Sequence, residues 1–277
     1  MSHRLKKIIS YIILYAFLLF LTVICVLPFY SMIISATHTG ADLAKGLVVL
    51  PGEAFFGNYE RLLRTTDIWR WFFNSFFIAL PSTMLSAYFG ALTAYGFAKF
   101  RFKGRGILYM VVLSTMMIPG QVTLIGLFQI SKMYGLLNTY VPLVAPAIIS
   151  GTSVFWMRSA IESTIDDAYI EAARIDSYGE FMIFNKIIIP LVKPAIATIS
   201  IINFIGVWNN YMGPLIMLNS DRKYPLALGI AILKGMESQD LGVIYMGVAI
   251  SIVPIMIVFS FLSKHIIGGL TVGGVKG

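Results

Sequence analysis

The chain has 277 residues, 58% of them hydrophobic and 12% charged, with a formal net charge of +8 and a mean hydropathy of +0.82. A soluble domain carries about 25% charged residues, so this composition excludes a large water-soluble core and points to membrane as solvent. The single cysteine, Cys25, excludes an intrachain disulfide.

In chain order, the windows 8–41, 71–98, 106–131, 133–157, 194–220 and 241–263 contain no Asp, Glu, Lys or Arg. A spanning helix needs about 20 mostly apolar residues, and each window is long enough. The predicted fold is all-α: one polytopic membrane domain over residues 1–277, with six transmembrane helices. Their expected bounds are 8–36, 71–98, 107–131, 138–158, 194–218 and 243–263. The first window follows Arg4, Lys6 and Lys7, as a secretory signal would. A signal's apolar region runs only about 7–15 residues, so an uncleaved anchor is expected.

The connections are informative. Residues 38–70 begin with the turn formers Gly40, Pro51, Gly52, Gly57 and Asn58 and continue as "NYERLLRTTDIWRW", which reads as a short surface helix leading into the second span. Trp69 and Trp71 suit the membrane interface. Residues 99–105, "KFRFKGR", hold four basic residues in seven. With the N-terminus inside, 13 Lys and Arg fall on the inner side and 8 on the outer side. The positive-inside rule then places both termini in the cytoplasm. The Gly-rich tail, residues 268–277, is expected to be irregular.

Several chemistries are absent. No Gly-Lys dipeptide occurs, so there is no G-x-x-x-x-G-K-[ST] phosphate loop. His3, His38 and His265 are far apart, which leaves no zinc-type cluster. No Gly-x-Ser-x-Gly nucleophile elbow is present. Ion-coupled carriers usually keep ionisable groups within their spans, and these six windows have none. No catalytic residue, metal site or energy source is expected on the chain, and a nucleic-acid role is disfavoured because no basic patch lies on a soluble domain.

The longest inner connection carries "YIEAARIDSYGEF", residues 169–181. Ile161, Ile165, Ala168, Ala172 and Ile175 recur at spacings of 4, 3, 4 and 3, a stripe on one helix. Asp167, Glu171 and Arg174 form a neighbouring charged stripe, with Tyr169 and Ala173 on another side. Ser163 and Thr164 are candidate N-caps. Ser177 and Glu180 match a capping box that would start a second helix, its apolar face supplied by Phe181, Phe184, Ile188 and Leu191. Pro190 and Pro194 mark a bend before the fifth span. Two readings remain: a solvated loop covering the span ends, or a helix presenting Glu171 and small alanines to a soluble partner.

"EAARID", with Pro190 nineteen residues after Glu171, resembles the EAA signature of binding-protein-dependent ABC importer permeases. It is most similar to the carbohydrate branch, the smaller permease of maltose-type importers. "NYERLLRTTDIWRWFFNS", "AYGFAKFRFKGR", "MMIPGQVTLI", "WNNYMGPLI" and "GLTVGGVKG" also resemble family segments, in family order, from Asn58 to Gly277. The EAA motif with its proline is highly specific; the other segments are weak singly and strong together.

The resemblance implies a coupling segment over residues 159–190, seated in a groove of an ATPase subunit. Glu171, Ala172, Ala173, Arg174, Asp176, Ser177 and Gly179 would make that contact, with Glu171 pairing to a basic residue of the ATPase. The implied partners are a homologous second permease in a heterodimer, two ATPase subunits, an extracellular or periplasmic sugar-binding protein, and membrane lipid. ATP and Mg would sit on the ATPase, with no cofactor on this chain. The tail from Gly268 would reach the ATPases. The setting is the bacterial cell membrane, and the expected cargo is an oligosaccharide. The alternatives are a glycerol-phosphate-type substrate or an ATP-independent carrier or channel. One departure stands out: the family usually has Gly six residues after the Glu, where this chain has Ser177, with Gly179 two further on. If the turn needs positive φ, Ser is strained by about 1 kcal/mol or more; alternatively, its hydroxyl gains by capping.

Within the spans, Asn203, Trp208, Asn209, Asn210 and Tyr211, together with Gln121 after Pro119 and Gly120, are candidate pathway residues. Amides and aromatics suit sugar hydroxyls and ring faces. Such groups also join helices to one another within the membrane. Gly213-Pro214 is expected to bend the fifth span.

Overall fold

The computed structural model describes residues 3–236 and 240–272, and all regular structure among them is helical. The chain forms two compact units, one within Met1–Ile68 and Ile232–Val253, the other within Trp69–Ala231 and Pro254–Gly277.

In the first unit, α1 (His3–Ser35) exposes its large apolar side chains from Ile8 to Tyr30. A helix that is hydrophobic all round, with no protein over it, is stable in lipid or against a partner. A one-turn helix α2 (Gly40–Ala44) and the amphipathic α3 (Phe55–Thr65) follow. Gly57, expected in a turn, lies inside α3, and so does Asn58, where the predicted surface helix begins. Asn58 is fully buried, and its Nδ2 donates to the carbonyls of Ala36 and His38, both at 2.8 Å. Those carbonyls lie just past the end of α1, where no helical N–H remains to satisfy them.

The second unit is built on α4 (Ile68–Lys99). Ser86, Ala87, Gly90, Ala91 and Ala94 recur at helical spacing, and at Gly90 a Cβ would stand 2.6 Å from the Cβ of Ser153. Small side chains there let a neighbouring helix approach closely. Then come α5 (Arg105–Thr115) and α6 (Gly120–Met133), bent by 98° relative to each other. The third predicted span, 107–131, is therefore broken rather than continuous. Pro119 has no N–H for the carbonyl of Thr115, and helix α5 ends at that residue.

The fourth apolar run, Val141–Thr164, comprises α7 (Val141–Val144), a 3₁₀ turn (Ala145–Ile149) and α8 (Gly151–Thr164). It extends past the expected end at 158. Arg158 continues the helix by pairing with Glu162 at 2.8 Å, while its guanidinium lies 3.9 Å from the centre of the Tyr109 ring. Next are α9 (Asp167–Ile175), α10 (Glu180–Ile183), a π-helical turn (Phe184–Ile188) and α11 (Ile189–Leu191). The fifth run, α12 (Lys193–Trp208), ends ten residues before the expected 218 and is bent by 80° from Glu180–Leu191. A short α13 (Met212–Met217) follows. The break falls at Asn209–Tyr211, upstream of Gly213-Pro214, because Pro214 leaves the carbonyl of Asn210 without its helical donor.

Finally, α14 (Leu226–Met236) precedes α15 (Leu241–Val272). The predicted sixth span lies within α15, and residues 268–272 are helical where an irregular tail was expected. Residues 273–277, and with them the tail's predicted reach to an ATPase, lie outside the described residues. Among the described residues, four runs are long and apolar enough to cross a membrane on their own, and up to six are if each bent pair counts as one span.

Candidate functional site

The charged segment folds as two helices around a left-handed turn. Helix α9 starts at Asp166, whose side chain accepts from the N–H of Ala168 at 3.0 Å. An acid there satisfies an orphan donor and suits the positive end of the helix dipole. Ser163 and Thr164 are not the caps, because α8 continues through them and closes at the extended Ile165. That extended residue also restarts the helical register, so the predicted stripe from Ile161 to Ile175 is not continuous. Ile170 and Ala173 are buried, and they join a core with Tyr95, Ile161, Ile183 and Phe184. Ala168, Glu171 and Ala172 are exposed, and Ile175 is 83% exposed.

The end of α9 resolves the serine question. Ser177 has φ of +61°, in the left-handed region. Its N–H donates to the carbonyl of Arg174, and the N–H of Tyr178 donates to that of Ala173, both at 3.0 Å. This is the Schellman arrangement, with Ser177 at the position where glycine is usual. The capping box does not form: Gly179 is the N-cap of α10 and supplies no side-chain bond. The Glu180 carboxylate turns elsewhere. It accepts from Arg174 Nε at 2.8 Å and from the Tyr95 hydroxyl at 2.7 Å. The Arg174 bond, followed by that from Tyr95, holds the Glu180 carboxyl below its ordinary range, against an opposing desolvation.

A second tie lies at the other end of α9. Lys99 Nζ donates to the carbonyl of Ile165 and to Asp167 Oδ1, each at 2.6 Å, and its side chain is only 10% exposed. The hydrogen bond from Lys99 lowers the Asp167 carboxyl below its ordinary range. The loop "KFRFKGR" thus does more than set topology, since its first lysine caps α8 and pairs with the first turn of α9.

The apolar face of the second helix also shifts. Ile183, Phe184, Ile188 and Val192 are buried, whereas Phe181 and Leu191 are 67% and 42% exposed. The π turn, closed by the Ile189 N–H on the Phe184 carbonyl, adds a residue to the helical repeat. It sits just before Pro190, whose missing N–H prevents the regular ladder.

The proposed pathway residues fall into two groups. Asn203 Nδ2 donates to Ser86 Oγ at 2.9 Å and Ser153 Oγ at 3.1 Å, and the two hydroxyls lie 2.7 Å apart. This knot joins α4, α8 and α12. Trp208 is buried, stacked on Phe204 and edge-on to Phe72 and Phe76. Asn209, Asn210 and Tyr211 are exposed at the helix break, and Gln121 is exposed in the first turn of α6. Asn210 Oδ1 accepts from the Gly213 N–H at 3.1 Å, in the first turn of α13. Its side chain also lines a cavity of about 30 Å³ with Ser75, Val207 and Pro214, enough for one water and too small for a sugar.

Residues 86–270 match the model of the family described as "Binding-protein-dependent transport system inner membrane component". The chain belongs to this family. The match contains both ties and the whole of α9. Relatives include an arabinooligosaccharides transport system permease protein, AraQ, of Bacillus subtilis, 33% identical over 94% of both chains. A lactose transport system permease protein, LacG, of Rhizobium radiobacter is 31% identical over all of both. Among solved structures, a bacterial ABC transporter involved in the import of the acidic polysaccharide alginate contains a chain that superposes with a TM-score of 0.78. Its identity is 25%, covering 96% of this chain and 99% of that one. Together with its sugar-transport relatives, family membership makes the chain a multi-pass cell-membrane permease of the carbohydrate ABC importer type. Tyr95 and Glu180 were not paired by sequence reasoning: they lie 85 residues apart, and no local pattern links them.

Proposed function

We propose that the chain is one permease of an ATP-driven oligosaccharide importer, and that α9 is its coupling helix. Its six spans are α1, α4, the bent α5–α6 pair, the run Val141–Thr164, α12 and α15, with both termini cytoplasmic. The observation that carries the reading is the division of α9 into two faces. Ile170 and Ala173 anchor it to the second unit's core, while Glu171, Ala172 and Ile175 are left exposed beside the exposed Tyr169 and Phe181. Outside the lipid, such an apolar face with one central acid fits a protein groove with a basic residue. Arg174 and Asp176 flank the contact, and Ser177 and Gly179 shape the turn beneath it.

The partners are a homologous permease, two ATPase subunits that hold ATP and Mg, and an external sugar-binding protein. The carbohydrate relatives support a sugar over a glycerol phosphate. Asn209, Asn210 and Tyr211 at the α12–α13 break, and Gln121 at the α5–α6 bend, are the exposed polar groups offered to the sugar.

The test is Glu171→Lys, which reverses one exposed charge and touches no core residue. ATPase subunits should be lost on co-purification while membrane insertion is retained. Unchanged attachment and unchanged sugar-stimulated ATP hydrolysis would refute the coupling assignment. A binding screen of the cognate external protein against oligosaccharides identifies the cargo.

A further inference from the structure

We infer that Tyr95, Lys99 and Glu180 are positioning residues that make α9 and α10 one rigid lever with the last turns of α4. The inference rests on the reading of α9 as the coupling helix. Helix α9 is joined to its chain neighbours by two non-helical joints: the extended Ile165 before it and the left-handed turn at Ser177 after it. If only these joints held α9, a push on its exposed face would be absorbed as bending within the loop.

Both joints are bridged from the same helix. Lys99 spans the first, holding the Ile165 carbonyl on one side and Asp167 on the other. Tyr95, one turn earlier on α4, spans the second through Glu180, whose other oxygen takes Arg174 of α9. Between the two ties, Ile170 and Ala173 pack in the same core as Tyr95, and the Tyr95 ring stacks on Phe184 at 5.8 Å. The start and the end of α9 are thus both tied by side chains to α4, in addition to the apolar core that α9 shares with α8 and α12. Ion pairs as exposed as these add little net stability; their part in the lever is to hold one geometry. Further along, α4 carries Ser86 in the knot with Ser153 and Asn203. Displacement of α9 is therefore delivered to the membrane interior through α4.

The test uses the importer complex purified with its ATPase subunits, carrying Cys25→Ser and spin labels at Met84→Cys on α4 and Ala168→Cys on α9. With the ties intact, the label distance should stay within about 1 Å between the nucleotide-free and ATP–vanadate-trapped states, less than the helix shifts of about 1–2 Å that accompany switching transitions. With Tyr95→Phe and Lys99→Met combined, ATPase subunits should remain bound while the distance broadens and shifts by more than that on trapping. If the double variant does not assemble, Tyr95→Phe alone, which removes one hydroxyl, gives the same comparison. A large shift with the ties intact, or an unchanged distance in the variants, overturns the lever. Failure of the coupling reading shows separately, as ATPase subunits that stay bound to Glu171→Lys.

Discussion

Replacing Ser177 by glycine should stabilise the protein. A serine hydroxyl capping α10 would make the same change destabilising, so the sign decides between the two. Ser177 sits at φ of +61°, and an L-residue in the left-handed region costs about 1–2 kcal/mol. Glycine removes that cost but gives up about 0.5–1 kcal/mol of backbone entropy. The side chain is exposed, so no packing is lost. The net expectation is a gain of about 0.5–1 kcal/mol, or a rise in Tm of about 1–4 °C at this chain length. Thermal unfolding of the protein in lipid nanodiscs, followed by intrinsic fluorescence, measures it. Ser177→Ala is the control: it keeps the positive φ and removes only the hydroxyl, so its Tm should hardly move. A drop in Tm for Ser177→Gly, or a loss of about 1 kcal/mol for Ser177→Ala, the usual cost of losing a cap, would refute the reasoning.

The tie at Glu180 should also show in pH dependence. Its folded carboxyl lies below the ordinary value of 4.5, so the contribution is fully present above that value and is lost as pH falls through the lower folded value. The Tm gap between wild type and Glu180→Gln should be constant near neutrality and close in acid below about pH 4.5; a gap that widens in acid would reverse the assignment. Asn203→Leu should lower stability by about 1 kcal/mol while leaving the KM of transport unchanged, because its amide is committed to Ser86 and Ser153. A raised KM would return it to the pathway. Gly90→Ala should cost about 1–3 kcal/mol through overpacking, since its methyl would meet the Ser153 Cβ at 2.6 Å. An unchanged Tm would mean that α4 and α8 can separate freely.

Which features were legible in the sequence follows from the range over which each is determined. The apolar runs were legible because exclusion of charge is a property of composition along one stretch. Helix breaks were half legible. Pro119, Pro190 and Pro214 each coincide with a break or a π turn, yet Pro28, Pro81 and Pro254 lie inside unbroken helices. A proline removes one donor, and whether the helix then breaks depends on what else stabilises the freed carbonyl. Where a break does occur it lies upstream, at the orphaned carbonyl, which is why the bend expected at Gly213-Pro214 falls at Asn209–Tyr211.

The site divides along the same line. The exposed face of α9 was legible in the EAA pattern because it is local. Its anchoring was not. Lys99 reaches Asp167 across 68 residues and Tyr95 reaches Glu180 across 85, distances at which one sequence carries no pairing signal. Local rules even pointed the wrong way, since Ser177 and Glu180 satisfy the capping-box pattern. The box lost because Glu180 has stronger partners: a carboxylate bonded to a guanidinium and a phenol outcompetes one bonded to a single backbone N–H. Once Glu180 is drawn toward α4, the hydroxyl of Ser177 has no reciprocal partner. Ser177 is then left with only the backbone role, closing α9 at the position where a glycine would cost less.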